Sequence, residues 1–252
     1  MSPVAPPVPT TLLAALEATW PPAARWRIGA FTLRDGRGGG KRVSAASAEA
    51  PPGEDEIARV ESEMRDLGQR PLVRLCEDAA PHDRELDALL ARRGYKVVDP
   101  TVFYCAPLAR LLPEPLPVMR VFAIWPPLAI QRDIWTAGGI GPARQAVMAR
   151  APEPRCALMA RQSDRVAGTA FIALHGVIAM LHAMEVTPAL RRQGAAGNLL
   201  RGAAQWAGEQ GAQWLALAVT RDNAPARALY ATLGMEVAGS YHYREHPGEH
   251  MP

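Results

Sequence analysis

The sequence predicts an α/β protein, of the α+β type, in which helices cover a mixed β-sheet. Short apolar runs alternate along the chain with segments whose apolar residues recur at helical spacing. The order helix, glycine, strand also occurs twice, over 82–104 and over 223–243. The chain has 252 residues, of which 48% are hydrophobic, so it can form two packed domains.

The first half contains a glycine-rich segment, Asp35 to Arg42, with some likeness to a phosphate-binding loop. Asp35 stands where such a loop needs its first glycine, and Arg42 stands where it needs serine or threonine. We therefore interpret the segment as a hairpin turn. The elements predicted for this half are helices over 11–19, 54–67 and 82–93, and strands over 25–32, 43–48, 71–76 and 95–104.

The second half follows a stiff linker that carries Pro113, Pro115 and Pro117. Its last helix is predicted to start at Asn223, a good N-cap, and to be closed by Gly234. The predicted strands are 118–124, 155–161, 166–174, 177–186, 213–219 and 235–243, and the predicted helices are 128–137, 142–150, a segment that ends at Gly211, and 223–233.

The two halves share an internal repeat. Residues 89–97 align with residues 229–237 at an offset of 140, which places Leu90 where the second half has Tyr230. We predict that residues 1–112 form a degenerate copy of the fold of residues 118–252, with a mixed sheet of at least four strands within 25–105. A chance match of the common helix, glycine, strand order is the alternative interpretation.

An apolar strand over 181–186 leads into the small-residue turn Arg191-Arg192-Gln193-Gly194-Ala195-Ala196-Gly197 and a helix. The first helical turn has unpaired N–H groups and a positive partial charge, so small residues there let a phosphate reach the backbone. The two arginines can add charge-assisted hydrogen bonds to a diphosphate. The matching helix of the first half starts with Glu54-Asp55-Glu56, whose carboxylates repel phosphate, so we expect no coenzyme there.

This order of strand, R-x-x-G-x-A turn, helix, strand, asparagine-capped helix with a tyrosine, glycine and strand resembles the GNAT superfamily of acyl-CoA-dependent N-acyltransferases. The resemblance covers 118–252 and implies the GNAT fold, here as two tandem GNAT-like domains of which 118–252 is catalytic. Alanine at position 196 replaces the glycine of many members, although the family pattern allows either. The residues that carry the resemblance are Val186, Arg191, Gly194, Ala196, Asn223, Ala228, Leu229, Tyr230, Leu233, Gly234 and Met235.

The resemblance implies transfer of the acetyl group of acetyl-CoA to a primary amine of a small molecule or peptide, without a metal. The amine attacks the thioester directly, so one group must take a proton from the ammonium and another must protonate or stabilise the departing thiolate. Tyr230 is the expected general acid, because it lies on the inward helix face about two turns after Asn223. A core tyrosine with a satisfied hydroxyl is the alternative.

His182 and Glu185 are the candidate bases, and the alternation of a strand predicts them on opposite faces. We favour His182, since it occupies the place where arylalkylamine N-acetyltransferases, another GNAT branch, carry an active-site histidine, and imidazole titrates near neutral pH. A strand histidine bonded to a neighbour, or a water chain acting as the base, are the alternatives.

The resemblance also implies how acetyl-CoA is held. Backbone groups of Met184 and Val186 are expected to pair with the pantetheine arm, and Asn223 to cap its helix while contacting pantetheine or substrate. The amides of 193–198 are expected to hold the diphosphate. The coenzyme-binding residues so predicted are Met184, Glu185, Val186, Arg191, Arg192, Gln193, Gly194, Ala195, Ala196, Gly197, Asn198, Asn223 and Tyr230.

Composition argues against several other functions. The net charge is only +3, no basic run contains interleaved aromatics, and the arginine bias is typical of a GC-rich, bacterial-like coding sequence, so we expect no nucleic-acid partner. No leader pattern or apolar run of about 18 residues is present, so we expect no membrane partner and a cytoplasmic location. The motif at 246–250 spells H-x-x-E-H, but its Pro-Gly prevents the helix that a zinc site needs, and a tail is expected there.

Two other classes of protein remain alternatives to the enzyme. One is a non-catalytic acyl-CoA-binding regulatory protein, and the other is a dimerising scaffold. Arg191, Gly194 and Tyr230 favour the enzyme, because together they supply a coenzyme site and an acid. The acceptor and the oligomeric state do not follow from the sequence.

Overall fold

The computed structural model of the protein describes residues 5–76, 78, 81–113, 116–117, 119–162 and 164–248. In the first half the helices are α1 (Pro9–Thr19), α2 (Lys41–Ser44), α3 (Glu54–Asp66), α4 (Pro81–Arg92) and α5 (Leu108–Leu111). Its strands are β1 (Ala24–Ile28), β2 (Phe31–Asp35), β3 (Ser47–Ala48), β4 (Leu72–Leu75) and β5 (Lys96–Pro107).

The second half agrees with the predicted order of elements. Its strands are β6 (Val121–Ile124), β7 (Arg155–Gln162), β8 (Arg165–His175), β9 (Ile178–Val186), β10 (Trp214–Thr220) and β11 (Glu236–Glu245). Its helices are α6 (Ala129–Ala137), α7 (Pro142–Arg150), α8 (Ala195–Glu209) and α9 (Ala224–Thr232), and a 3₁₀ turn covers Pro188–Leu190.

Eight strands form one mixed sheet in the order β4-β11-β5-β10-β9-β8-β7-β6. The β9–β10 pair is parallel, and the other neighbouring pairs are antiparallel. One face of this sheet packs against α8 and α9, and the other packs against α1, α3, α6 and α7. Alternate residues of β10 show the division, since Leu215 and Leu217 belong to the first core and Trp214 and Ala216 to the second.

The first half repeats the central part of the second. Strands β1, β2 and β3 form an antiparallel sheet, and Ala46 beside β3 makes one parallel bridge to Val73 of β4. The series β7, β8, β9 and β10 has the same sequence of contacts: antiparallel, antiparallel, parallel. The prediction of a mixed sheet of at least four strands within 25–105 was nevertheless wrong, because β1, β2 and β3 form a three-stranded sheet while β4 and β5 belong to the eight-stranded sheet. Only the single bridge from Ala46 to Val73 links the small sheet to β4.

The two halves exchange their last strands. Strand β11 lies between β4 and β5, and β5 lies between β10 and β11. In the central β5–β11 ladder Glu236 is opposite Cys105 and Glu245 is opposite Lys96. The repeat offset of 140 relates Lys96 to Glu236 and Cys105 to Glu245, so it exchanges one pair for the other. This reciprocal pairing relates the two halves as two tandem copies of one unit. The boundary between 112 and 118 stays a prediction, and Pro115 and Val118 lie outside the described residues.

Two other predictions for the first half were also wrong. The strand predicted over 25–32 is the hairpin of β1 and β2, because Gly29 adopts a φ of 55° and lets Ile28 pair with Phe31 across a two-residue turn. The turn predicted over 35–42 instead leads into α2, and only Ser47 and Ala48 of the predicted return strand pair with β2. No helix among the described residues is long and apolar enough to cross a membrane.

Candidate active site

The first turn of α8 is open to a ligand. Gly194 is its N-cap residue in the left-handed region, at a φ of 87°, and no side chain caps the helix. A Cβ built at Gly194 or at Gly197 would meet no atom within 4 Å. Within the described part of the chain, the amides of 193–197 have no hydrogen-bond acceptor, whereas the Asn198 amide donates to Gly194 O at 3.0 Å. The first turn of α8 therefore presents free amides as far as Gly197, which is what an anion-binding turn requires.

The polar residues before this turn are exposed. Arg191 Nε donates to the carbonyl of Val186 at 3.1 Å, and Gln193 Nε2 donates to that of Ala189 at 3.4 Å. Arg192 adopts a φ of 62° and has an exposed side chain. Both arginines therefore flank the free amides, and Arg191 also joins the turn to the end of β9.

Strands β9 and β10 separate next to this turn. Their parallel pairing ends at Leu181 opposite Leu217, although β9 continues to Val186 and β10 to Thr220. Beyond that point β9 pairs only with β8, so the backbone edge of Met184 and Val186 that faces β10 has no strand beside it. An extended ligand segment can pair with a free edge of this kind.

A β-bulge in β9 changes which side chains face which side of the sheet. His182 lies opposite Phe171 and Glu185 opposite Thr169, so Ala183 and Met184 together face one residue of β8, and Ala183 adopts a φ of 49°. Met184 and Val186 consequently pack toward the α8 core, as Leu181 does. The prediction that His182 and Glu185 lie on opposite faces was wrong, because the extra residue restores both to the face that carries α1 and α6.

A cavity of about 510 Å³ occupies the space where the strands separate. It contains five of the residues predicted for the site, namely His182, Met184, Glu185, Asn223 and Tyr230. The predicted anion-binding residues 191–198 do not line it and lie beyond the end of β9. The predicted residues therefore fall into two groups, one at the turn beyond the end of β9 and one in the cavity between the separated strands.

Tyr230 enters the cavity from the α9 side. Its side chain is buried in the α8 core, 5.5 Å from the ring of Tyr104 between centroids. Burial raises the pKa of Tyr230 to about 12, against the opposing effect of the positive charge of Arg42. The hydroxyl group therefore stays protonated at neutral pH and makes no hydrogen bond to the described residues.

His182 lies on the opposite side of the cavity and is only 2% exposed. Its Nε2 is 2.8 Å from Thr19 Oγ1, and that hydroxyl donates to Ala15 O at 2.6 Å. Because the hydroxyl has a single proton, it must accept from His182, which places the ring proton on Nε2. Nδ1 then carries a lone pair with no partner among the described residues. Burial and the charge of Arg42 hold the pKa of His182 well below its ordinary value.

This pKa shift predicts how stability changes with pH. Unfolded His182 takes up a proton near pH 6.5 while folded His182 does not, so the unfolding free energy should fall as pH drops below about 6.5, by up to about 1.4 kcal/mol per pH unit. We expect urea denaturation between pH 7 and pH 5 to show a shallower fall for His182→Gln than for the wild type. His175→Gln, at an exposed histidine, is the control. Parallel curves for His182→Gln and wild type would contradict the neutral buried state.

Glu185 and Asn223 lie at the edges of the cavity. Glu185 is partly buried against Gly138 at the end of α6, where a Cβ on that glycine would meet Glu185 Cδ at 2.6 Å. Burial raises the pKa of Glu185, and Arg191 partly opposes the shift. Asn223 Oδ1 accepts from the Ala226 amide at 3.2 Å, as predicted for a helix cap, and its amide nitrogen is left for other contacts.

The first half supplies part of the cavity wall, which sequence analysis missed. The side chains of Trp20, Arg42 and Thr101 line it, and Trp20 stacks on His182 with ring centroids 5.0 Å apart. The glycine-rich segment before α2 makes this possible, since a Cβ at Gly39 would lie 2.7 Å from Val147 Cγ2 of α7. The sequence signal was the glycine run itself. We interpreted it as a hairpin turn, whereas in the structure it lets the backbone lie close to α7.

Comparisons with known proteins agree with this architecture. Residues 123–235 match the family model described as Acetyltransferase (GNAT) family. A solved GCN5-related N-acetyltransferase from Kribbella flavida has a TM-score of 0.73 at 20% identity, covering 95% of this chain and 96% of that chain. A tandem GNAT protein from the clavulanic acid biosynthesis pathway has a TM-score of 0.56 at 16% identity, with coverages of 98% and 91%. No curated protein matches the chain in sequence.

The family model indicates the class of protein. Its match over residues 123–235 supports membership of the GNAT superfamily and acyl transfer as the general activity. The structural likenesses, all at low identity, add the tandem arrangement of two GNAT-like units. Of the H-x-x-E-H motif, His246 packs edge-on against Tyr95, and residues 249 and 250 lie outside the described residues.

Proposed function

We propose that the protein transfers the acetyl group of acetyl-CoA to a primary amine of a small molecule or a peptide. The observation that carries the proposal is the open first turn of α8 directly after the separated end of β9. The free amides of 193–197, with Arg191 and Arg192 beside them, suit a diphosphate. The unpaired edge of β9 suits the amide groups of a pantetheine arm, which would carry the thioester into the cavity.

Arg191 limits which β9 groups are available to that arm. Its Nε already donates to Val186 O, so the carbonyl of Val186 is partly satisfied in the absence of ligand. The groups that remain are the amide of Val186 and the backbone of Met184. Asn223 lies across the split with a free side-chain amide nitrogen, and we assign it the contact from the β10 side.

The reaction requires one bond to form and one to break. The amine nitrogen forms a bond to the acetyl carbon, the carbon–sulfur bond breaks, and its electron pair leaves on the thiolate. Tyr230 donates to that sulfur, since its protonated hydroxyl enters the cavity from the coenzyme side of the sheet. The proton lost by the amine goes to Glu185 or His182, which lie on the other face.

The two candidate bases differ in what the cavity gives each of them. Glu185 is partly buried, and its raised pKa brings a carboxylate closer to the pH at which a base works well. His182 is neutral with an unpaired Nδ1, but it is more deeply buried. The acidic limb of the pH–rate profile separates them, because only substitution of the true base should remove it.

The test of the proposal is direct. Isothermal titration with acetyl-CoA should give saturable binding, and release of free thiol should depend on an added amine from a panel of small amines and short peptides. Saturable binding without amine-dependent thiol release would favour the acyl-CoA-binding regulatory protein. Failure to bind any acyl-CoA would contradict both the enzyme and the regulatory protein, and would leave the dimerising scaffold as the remaining alternative.

A further inference from the structure

The cavity contains a cation for which the reaction proposed above has no use. Arg42, from α2 of the first half, reaches into the split and donates from Nη2 to the Ala218 carbonyl at 2.8 Å. Ala218 is the first residue of β10 beyond the last pair with β9, so it has no β9 residue beside it, although it still pairs with Phe103 of β5. A guanidinium has five N–H donors, and the bond to Ala218 uses one of them. The Tyr241 hydroxyl is a neighbour of this guanidinium, and no carboxylate among the described residues forms an ion pair with Arg42.

Two tyrosine hydroxyls in the same cavity are also unpaired. Tyr241 and Tyr243 of β11 both line the cavity and are each 2% exposed, yet neither hydroxyl has a hydrogen-bond partner among the described residues. Their rings pack edge-on at 5.5 Å, and Tyr241 also contacts Phe103. A buried polar group without a partner costs about 1–3 kcal/mol, so two such hydroxyls beside a guanidinium that has no carboxylate indicate a ligand that satisfies them.

These groups lie on the acceptor side of the sheet. Tyr241 and Tyr243 belong to the core formed with the first half, whereas Tyr230, Met184 and α8 belong to the core on the opposite face. The coenzyme site is on the α8 face, so the pantetheine arm approaches from there. Arg42 and the two tyrosines therefore face an acceptor that enters from the opposite face of the sheet. His182 and Glu185 lie on that same face.

We propose that the acceptor is a small amine that also carries a carboxylate, such as an amino acid, and that its carboxylate binds the Arg42 guanidinium and the Tyr241 and Tyr243 hydroxyls. Arginine and phenol groups are pure donors toward an anion, and a planar carboxylate matches a guanidinium. The amino group then lies toward Glu185 and His182, so the two ends of the acceptor meet opposite charges. This inference rests on the proposed function and specifies its substrate class.

The size of the cavity supports a small acceptor. Its volume of about 510 Å³ must hold the thioester end of the donor as well as the acceptor. Lys41 and Asp99, which also line it, are paired with each other at 2.9 Å and so do not neutralise Arg42. The positive charge of Arg42 is therefore left for the substrate.

Matched pairs of acceptors test the inference in the full-length wild-type protein. Each proteinogenic amino acid is compared with its amide, and β-alanine and γ-aminobutyrate with theirs, at saturating acetyl-CoA. We expect kcat/KM to be at least about 30-fold higher for the carboxylate member of the best pair, the size of a charge-assisted contact. An amide that reacts as well as its acid, or no reacting acid in the panel, overturns the inference.

Arg42→Gln supplies the second arm of the test. We expect KM for the carboxylate acceptor to rise about 30-fold with little change for its amide, and acetyl-CoA affinity to stay the same. Arg42→Lys, which keeps the charge, should recover part of the loss even if Arg42→Gln is unstable. Arg59→Gln, at an exposed position on α3, is the control. Equal losses for acid and amide in Arg42→Gln would overturn the inference.

A third arm separates the acceptor from the acyl donor as the source of the carboxylate. If Arg42 instead bound a carboxylate on the acyl group, succinyl-CoA would outperform acetyl-CoA and lose that advantage in Arg42→Gln, which would overturn the inference. Transfer to uncharged amines alone would refute this inference and leave the acetyltransferase proposal intact. Failure to bind acetyl-CoA would refute the proposed function itself.

Discussion

Tyr230→Phe should lower kcat by about 100-fold to 1,000-fold, the usual contribution of a general acid, and change the dissociation constant of acetyl-CoA by less than about threefold. The substitution removes only the hydroxyl, which has no described hydrogen-bond partner, and leaves the ring to pack against Tyr104. Stability should therefore change little. Single-turnover kinetics and titration with acetyl-CoA measure the two quantities separately.

Tyr104→Phe is the matched control for this prediction. Tyr104 is 5% exposed and packs in the same core as Tyr230, but it does not line the cavity. Its substitution should leave kcat unchanged. A phenol with a pKa of about 12 acts by protonating the departing sulfur. An acetyl thioester of a more acidic thiol should therefore lose less rate in Tyr230→Phe. An unchanged kcat would remove Tyr230 from the reaction.

The second half of the fold could be predicted because its signals are local. The small-residue turn before α8, the asparagine cap of α9 and the glycine after it act through the backbone of a few neighbouring residues. The bulge at Ala183 could not be predicted, because a bulge leaves the apolar alternation of a strand nearly unchanged and depends on pairing with β8. The side on which His182 lies therefore had to come from the structure.

The contribution of the first half to the cavity has a similar explanation. Strand exchange places β11 between β4 and β5, and this long-range pairing brings Tyr241 and Tyr243 next to Arg42. Neither the repeat nor the composition indicates such an exchange, since each half contains its own predicted strands. The glycines before α2 had a local signal, but the surface that they approach, α7, lies about a hundred residues further along the chain.

Ala196→Glu should weaken acetyl-CoA binding by about 10-fold to 100-fold, because a carboxylate in the first turn of α8 repels a diphosphate at the same amides. The same charge should leave stability unchanged or raise it by about 0.3–1 kcal/mol, since it interacts favourably with the helix dipole. Most substitutions that weaken ligand binding also lower the stability of the fold or leave it unchanged. Here affinity and stability are expected to move apart, and titration and thermal unfolding measure both.

The first half contains the natural precedent for this substitution. Helix α3 begins with Glu54, Asp55 and Glu56, so three carboxylates surround its first turn, although none of them caps the helix and Glu56 accepts the Ala30 amide at 3.2 Å. If α8 acts as the anion site because it lacks them, one carboxylate should convert it toward α3. The loss should also shrink at high salt, because the turn is accessible to solvent and its charges are screened.

Gln205→Glu, which adds the same charge at an exposed position on α8 far from its first turn, controls for net charge. It should leave acetyl-CoA affinity within about twofold of the wild type, because the charge lies about two and a half turns further along the helix than position 196. Equal affinity losses in Gln205→Glu and Ala196→Glu would mean that overall charge, rather than the free amides, governs binding. Unchanged affinity in Ala196→Glu would place the diphosphate elsewhere, and the direction from which the thioester enters the split would then have to be revised.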